Sequence, residues 1–307
     1  METSYQPLRE PRSRFMQIRG LRYHALHWGD ASLATPARPP LLLLHGWMDV
    51  AASFQFVVDA LAALEGPTRW VIALDWRGFG LTQAPDADCY WFPDYLGDLD
   101  AVLDSVWPDQ AVDLLGHSMG GNIVMTYAGV RPQRIRRLIN LEGFGVPRTE
   151  PSMAPKRYAK WLDELRAPVE LRSYADLDAV AMRLRKNNPL LSKQRAAWLA
   201  PHWSRRRADG AWEILGDPAH KRSNPVLHQV DETLACWKRI TAPLLWVEGE
   251  HTDITKWWGG RYSHQEFEAR LGLVPNLRKE RLANAGHMLH HDQPHELAQC
   301  LAPFLGT

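Results

Sequence analysis

The run Asp113-Leu-Leu-Gly-His-Ser-Met-Gly-Gly-Asn122 constrains this chain more than any other stretch, because it reads as a buried strand turning sharply into a helix with one hydroxyl at the apex. Gly116, Ser118 and Gly120 match the Gly-x-Ser-x-Gly pattern of a nucleophile elbow. There a strained turn drives the serine outward, and only glycine leaves room for the strand and helix on either side. Val112, Leu114 and Leu115 supply an apolar strand ahead of the turn, and Ile123 to Tyr127 suit a helix behind it. A serine hydroxyl is a poor nucleophile at neutral pH. The element therefore predicts two more: a base within hydrogen-bond reach, and donors for the oxyanion that attack creates.

Around the elbow, strand and helix alternate. Phe15 to Ile18 and Leu21 to Trp28 read as an antiparallel pair joined at Arg19-Gly20. Leu41 to Leu44 and Trp70 to Leu74 are continuous apolar runs, as expected for strands covered on both faces. Phe54 to Leu64 and Tyr95 to Val106 have helical spacing, and Ile135 to Leu141 is the strand after the elbow helix. This order implies βαβ crossovers and an α/β fold built on a doubly wound, mostly parallel sheet. Strands return at Leu244 to Glu248 and Leu277 to Leu282, with helices at Gln265 to Leu271 and Glu296 to Phe304.

Between Pro147 and Ala235 the alternation stops. Tyr158 to Arg166, Leu177 to Arg185 and Ser192 to Leu199 suit helices broken by prolines, so residues 147–235 are expected to form an inserted helical cap on a core of residues 1–146 and 236–307. The segment holds 16 Lys and Arg against 11 Asp and Glu, and its densest cluster, Arg205-Arg-Arg207, reads as solvated surface. Trp161, Trp198 and Trp203 within it, and Trp257 beyond it, are candidate aromatic walls for a substrate pocket.

His287, in the loop after the last strand, is the best-placed base, because a parallel sheet presents such loops at its carboxyl edge beside the elbow. The acid that holds its tautomer is expected to be Asp253, after the penultimate strand, with Glu142, at the end of the strand after the elbow, as the alternative. The backbone N–H of Met119 is one oxyanion donor, and that of Trp47, in the loop after Leu44, is the other. His45 reads as a structural hydrogen-bonding residue of that loop. His290, His291 and Asp292 lack the spacing of a known ligand set, so they read as solvated or helix-start residues and no metal site is expected.

His45-Gly-Trp47, Asp75-Trp-Arg-Gly-Phe-Gly80, Gly116 to Gly120, Gly249 to Asp253 and Gly286-His287 together resemble the α/β-hydrolase fold superfamily, over about Phe15 to Leu305. The resemblance implies a serine hydrolase with the chain order Ser118, Asp253, His287, acting on an ester or related acyl compound without a cofactor. Other activities on the same core are carbon–carbon bond hydrolysis and acyl transfer, and a ligand-binding or sensing protein is the reading outside enzymes. Dehalogenases and epoxide hydrolases of the superfamily share the His-Gly-Trp loop but use aspartate as nucleophile, and Ser118 argues against both. In one respect the spacing departs from many relatives, since Asp253 stands four residues after Gly249 rather than three.

Composition narrows the partners. With 36 Lys and Arg against 35 Asp and Glu, no global field recruits nucleic acid or an anionic membrane. No apolar run approaches the ~18 residues of a membrane span. Cys89, Cys236 and Cys300 are too few and too scattered for a disulfide framework, and Met1 to Arg14 lacks the apolar core of a secretory signal, so a cytoplasmic protein is expected. A small-molecule substrate fits best, and the aromatic content of the cap leaves room for a homodimer.

Overall fold

Leu41–Leu44 (β3), four leucines with no accessible surface to speak of, lies at the middle of an eight-stranded sheet in a computed structural model that describes residues 5–66 and 68–306. Residues 1–4, with which the reading of the N-terminus begins, and 307 lie outside the described residues. Each of these leucines contributes about 2 kcal/mol of transfer free energy, which is why the run forms a central strand. The other strands are β1 (Arg12–Ile18), β2 (Leu21–Trp28), β4 (Val71–Leu74), β5 (Val112–His117), β6 (Ile135–Leu141), and, after an insert with three short strands of its own, β10 (Leu244–Gly249) and β11 (Leu277–Leu282). The order is β1-β2-β4-β3-β5-β6-β10-β11, and only β2 runs against the rest. The doubly wound, mostly parallel sheet expected from the alternation is thus observed.

Helices α1 (Gln55–Glu65), α2 (Phe92–Val106) and α3 (Met119–Val130) connect the first parallel strands. One polar residue interrupts the apolar elbow strand: Asp113 is fully buried, and Arg69 and Arg136 donate to it at 2.9 and 2.8 Å. Asp75, after β4, fixes the loop that follows β3. Its carboxylate accepts from Ala51 N–H at 2.7 Å and Leu81 N–H at 2.9 Å, and a Cβ on Gly80 would stand 2.0 Å from its carboxyl carbon. That contact explains the last glycine of the Asp75 to Gly80 motif.

Between β6 and β10 lie α4 (Ala154–Leu165), α5 (Leu177–Asn187), α6 (Lys193–Trp203) and α7 (Val230–Trp237). The insert is not purely helical. Three strands, β7 (Ser173–Tyr174), β8 (Ser204–Arg206) and β9 (Trp212–Ile214), form a second small sheet, and two or three residues are too few to show an alternating pattern. The expected boundary at residue 235 falls inside α7, which packs on α3 so closely that a Cβ on Gly129 would meet the Cys236 carbonyl oxygen at 2.0 Å. Arg205 and Arg207 are exposed and pair with Glu213 and Asp209. The chain closes with α8 (Ile254–Trp257), α9 (His264–Leu271), α10 (Leu289–Asp292) and α11 (Pro294–Leu305). Among the described residues no helix is long and apolar enough to cross a membrane.

Candidate active site

Ser118 is the whole of the turn between β5 and α3, with φ 52° and ψ −113°. A side chain in that region costs ~1–3 kcal/mol, and the surroundings must hold it there. Its N–H donates to the Leu141 carbonyl at 2.8 Å. The flanking glycines are needed for contact as well as turn: a Cβ on Gly116 would lie 2.3 Å from the Gly120 oxygen, and one on Gly120 would lie 2.1 Å from the Leu44 oxygen. Two further non-glycine residues with positive φ stand at neighbouring strand ends, Met48 at 57° and Glu142 at 59°. Backbone strain of this kind gathers at functional sites.

Three side chains form an unbroken chain of hydrogen bonds. His287 Nε2 lies 2.9 Å from Ser118 Oγ, and His287 Nδ1 lies 3.1 Å from Glu142 Oε2. The other Glu142 oxygen accepts the Gly249 N–H at 2.5 Å. His117 Nε2 lies 2.7 Å from the His287 carbonyl oxygen and donates to it, which anchors the loop that carries the base. The Trp257 ring meets the His287 ring edge to face at 4.7 Å.

Asp253, the acid expected from chain order, is not in this arrangement. It is exposed, and its carboxylate caps α8 by accepting the Lys256 N–H at 3.0 Å. Asp253 is the N-cap of α8, whereas Glu142, at φ 59°, has its carboxylate beside the histidine.

Burial acts on both members of the His287–Glu142 pair. It pushes the Glu142 carboxyl up, against the lowering effect of the Gly249 N–H, and it pushes His287 down to about 4. We assign Glu142 as a carboxylate, because each of its oxygens faces a donor. His287 is neutral at neutral pH, and with Nδ1 protonated toward Glu142 its Nε2 lone pair faces Ser118.

Met119 is the first residue of α3, so its N–H has no acceptor within the helix. The loop after β3 lies directly alongside, since a Cβ on Gly46 would touch Ser118 Cβ at 3.1 Å, and Trp47 borders the same space. His45 ties that loop to β4 by accepting the Trp76 N–H at 3.0 Å.

Two cavities open on Ser118, His287 and Trp47. The first, of about 460 Å³, is apolar, with Phe92, Phe144, Trp237, Trp257 and Trp258 in its wall. The second, of about 430 Å³, carries Arg172, Arg183, Lys221 and Trp203 from the insert and Asp49 from the loop after β3. Of the four tryptophans expected in the pocket, Trp257 and Trp203 line these cavities. Trp198 does not: it packs on Tyr5 and Phe56. Trp161 sits on α4, a helix with no buried residue, and borders neither cavity. Phe92 and Trp237 on helices and Phe144 in the loop after β6 carry no signal in the sequence, because spacing gives no hint of which aromatic faces the elbow. Of the two readings of His290 and His291, the helix start holds, in α10, and solvation does not, since they are 0% and 3% exposed.

The profile of the alpha/beta hydrolase fold matches residues 39–294. The chain is 27% identical over 215 residues to a serine hydrolase-like protein of Danio rerio, covering 67% of this chain and 63% of that protein. It is 24% identical over 300 residues to a serine hydrolase-like protein of Dictyostelium discoideum, covering 93% of this chain and 79% of that one. Among solved structures, the thioesterase domain from the curacin biosynthetic pathway superposes with a TM-score of 0.80 at 24% identity, over 95% of this chain and 99% of that one, a likeness of fold.

Proposed function

We propose, because the chain belongs to the α/β-hydrolase fold family, that it is a serine hydrolase that cleaves a carboxylic ester through an acyl-enzyme. The observation that carries this reading is the hydrogen-bonded series Ser118 Oγ, His287, Glu142. Ser118 Oγ attacks the carbonyl carbon as its proton passes to His287 Nε2, and the oxyanion is held by the N–H groups of Met119 and Trp47. The Glu142 carboxylate stabilises the imidazolium, which then protonates the leaving alcohol. Water enters, His287 takes one of its protons, and the acyl-enzyme is hydrolysed to a carboxylic acid and free Ser118.

The apolar cavity suits a small or medium acyl chain, and residues 147–235 serve as the lid over it. The second cavity suits the other half of the substrate, and its charge favours an anionic group there. Arg172 and Arg183 make no ion pair among the described residues, and Asp49 is the one carboxylate in that cavity's lining. Aryl esters graded from acetyl to long acyl chains test the reading, together with a fluorophosphonate probe for the nucleophile. Turnover with a chain-length optimum and probe attachment at Ser118 are expected; no turnover and no attachment would reject it. Half-esters of dicarboxylic acids, which carry a free carboxylate, are expected to be preferred over neutral esters of equal length. Arg183→Ala should raise KM about tenfold for the half-ester alone, the effect of one charge-assisted hydrogen bond.

The pH profile of kcat/KM follows from the depressed His287. A base must be unprotonated, so activity is retained below 6.5, the ordinary histidine value, and is lost only as pH falls toward about 4. The groups facing His287 are Glu142 from β6 and His117 from β5, with Asp49 farther off. An acid limb near pH 8 would mean instead that the Glu142 carboxyl, raised by burial, controls the rate.

A further inference from the structure

At the wall of the second cavity three side chains with metal-ligating atoms meet from distant parts of the core. Asp49 comes from the loop after β3, and His290 and His291 come from α10. All three are buried, and their ligand atoms lie within 4.8 Å of one another. Asp49 Oδ1 accepts hydrogen bonds from Ser53 Oγ and, at 3.0 Å, from Trp203 Nε1, donors that favour the ionised carboxylate. Among the described residues Asp49 Oδ2 and both ring nitrogens of His290 have no hydrogen-bond partner, and His290 Nε2 stands 3.9 Å from Asp49 Oδ2. His291 bonds to the Ser53 backbone, which leaves its Nε2 without a partner. Buried polar atoms left without partners around one small volume are costly, and a shared ligand would relieve them.

We propose that Asp49, His290 and His291 form a binding site for one divalent first-row transition metal ion of the zinc type. Two imidazole nitrogens and one carboxylate oxygen suit Zn²⁺, Co²⁺ or Ni²⁺, whereas Ca²⁺ and Mg²⁺ take oxygen ligands. Metal bonds of ~2.1 Å in a tetrahedral set put ligand atoms ~3.4 Å apart, so the cluster contracts by roughly 1 Å as it binds. Asp49 and His291 also line the second cavity, together with Ser118 and His287. The three cationic side chains of that cavity belong to the insert, while the ligands belong to the core. His117 joins the cluster to the base: its ring lies 4.4 Å from that of His290, and it holds the His287 carbonyl.

Neither the site nor its test depends on hydrolytic activity, so the full chain with Ser118→Ala carries the experiment. After chelator treatment it is titrated with Co²⁺ and followed by visible absorption. One equivalent is expected to give the intense bands of a four-coordinate nitrogen and oxygen site, and Zn²⁺ is expected to displace it. Changes in a second shell alone weaken metal binding ~10–100-fold, so Asp49→Asn and His291→Gln are expected to weaken it by ~10²-fold or more. A weak six-coordinate spectrum in the parent protein, or unchanged affinity in variants that keep its circular dichroism and Tm, overturns the proposal. If both variants unfold, the parent spectrum decides alone.

Discussion

Ser118→Ala cuts turnover steeply: kcat/KM for the best aryl ester falls by ~10³-fold or more, and the residue to which a fluorophosphonate attaches is lost. The substitution is mild in volume but removes the only atom that attacks. The donors at Met119 and Trp47 and both cavities remain, so substrate still binds and a residual rate above that in water persists. Stability moves the other way or not at all. Alanine is no more strained than serine at φ 52°, and the oxygen at that apex is held only by His287. A variant with unchanged Tm and no loss of rate would remove Ser118 from the chemistry and the acyl-enzyme with it.

Glu142→Gln costs nearly as much. A fall of ~10²–10⁴ in kcat is expected, because an amide in place of the carboxylate presents a donor as readily as an acceptor to His287 Nδ1 and no longer stabilises the imidazolium. Gly249 N–H keeps an acceptor in the glutamine carbonyl, so the strand end stays in place and the loss reports on the charge. Asp253→Asn, in contrast, is expected to leave kcat within about twofold, since an asparagine caps a helix as well as an aspartate does. Measuring both variants against the same ester decides the acid. A large loss at Asp253 with none at Glu142 would mean that the loop after β10 rearranges during turnover and brings a different carboxylate to the histidine.

Much of the frame was legible because its causes are local. The strands Ile135–Leu141 and Leu277–Leu282 fall where the alternation of strand and helix places them, and α3 begins one residue past the serine, as the elbow pattern requires. Helix ends drift by a few residues: α2 starts at Phe92 rather than Tyr95, because Pro93 fits a first turn. The strands of the insert are too short to carry a period, and the wall of the apolar cavity draws on α2, α7 and α8, whose inward faces depend on what packs against them.

The sequence by itself determined the sheet, the elbow and the loops at its carboxyl edge, since close contact at Gly116 and Gly120 and the burial of Leu41–Leu44 follow from residue size and apolarity alone. Only the tertiary structure decided which carboxylate meets His287. Chain order favoured Asp253, but the choice turns on a positive φ at Glu142 and on one helix cap at Lys256, which no spacing rule registers. The same holds for His290 and His291. Their neighbour Asp49 is far away in the chain, and the three come together only because β3 and the loop after β11 end at the same edge of one sheet.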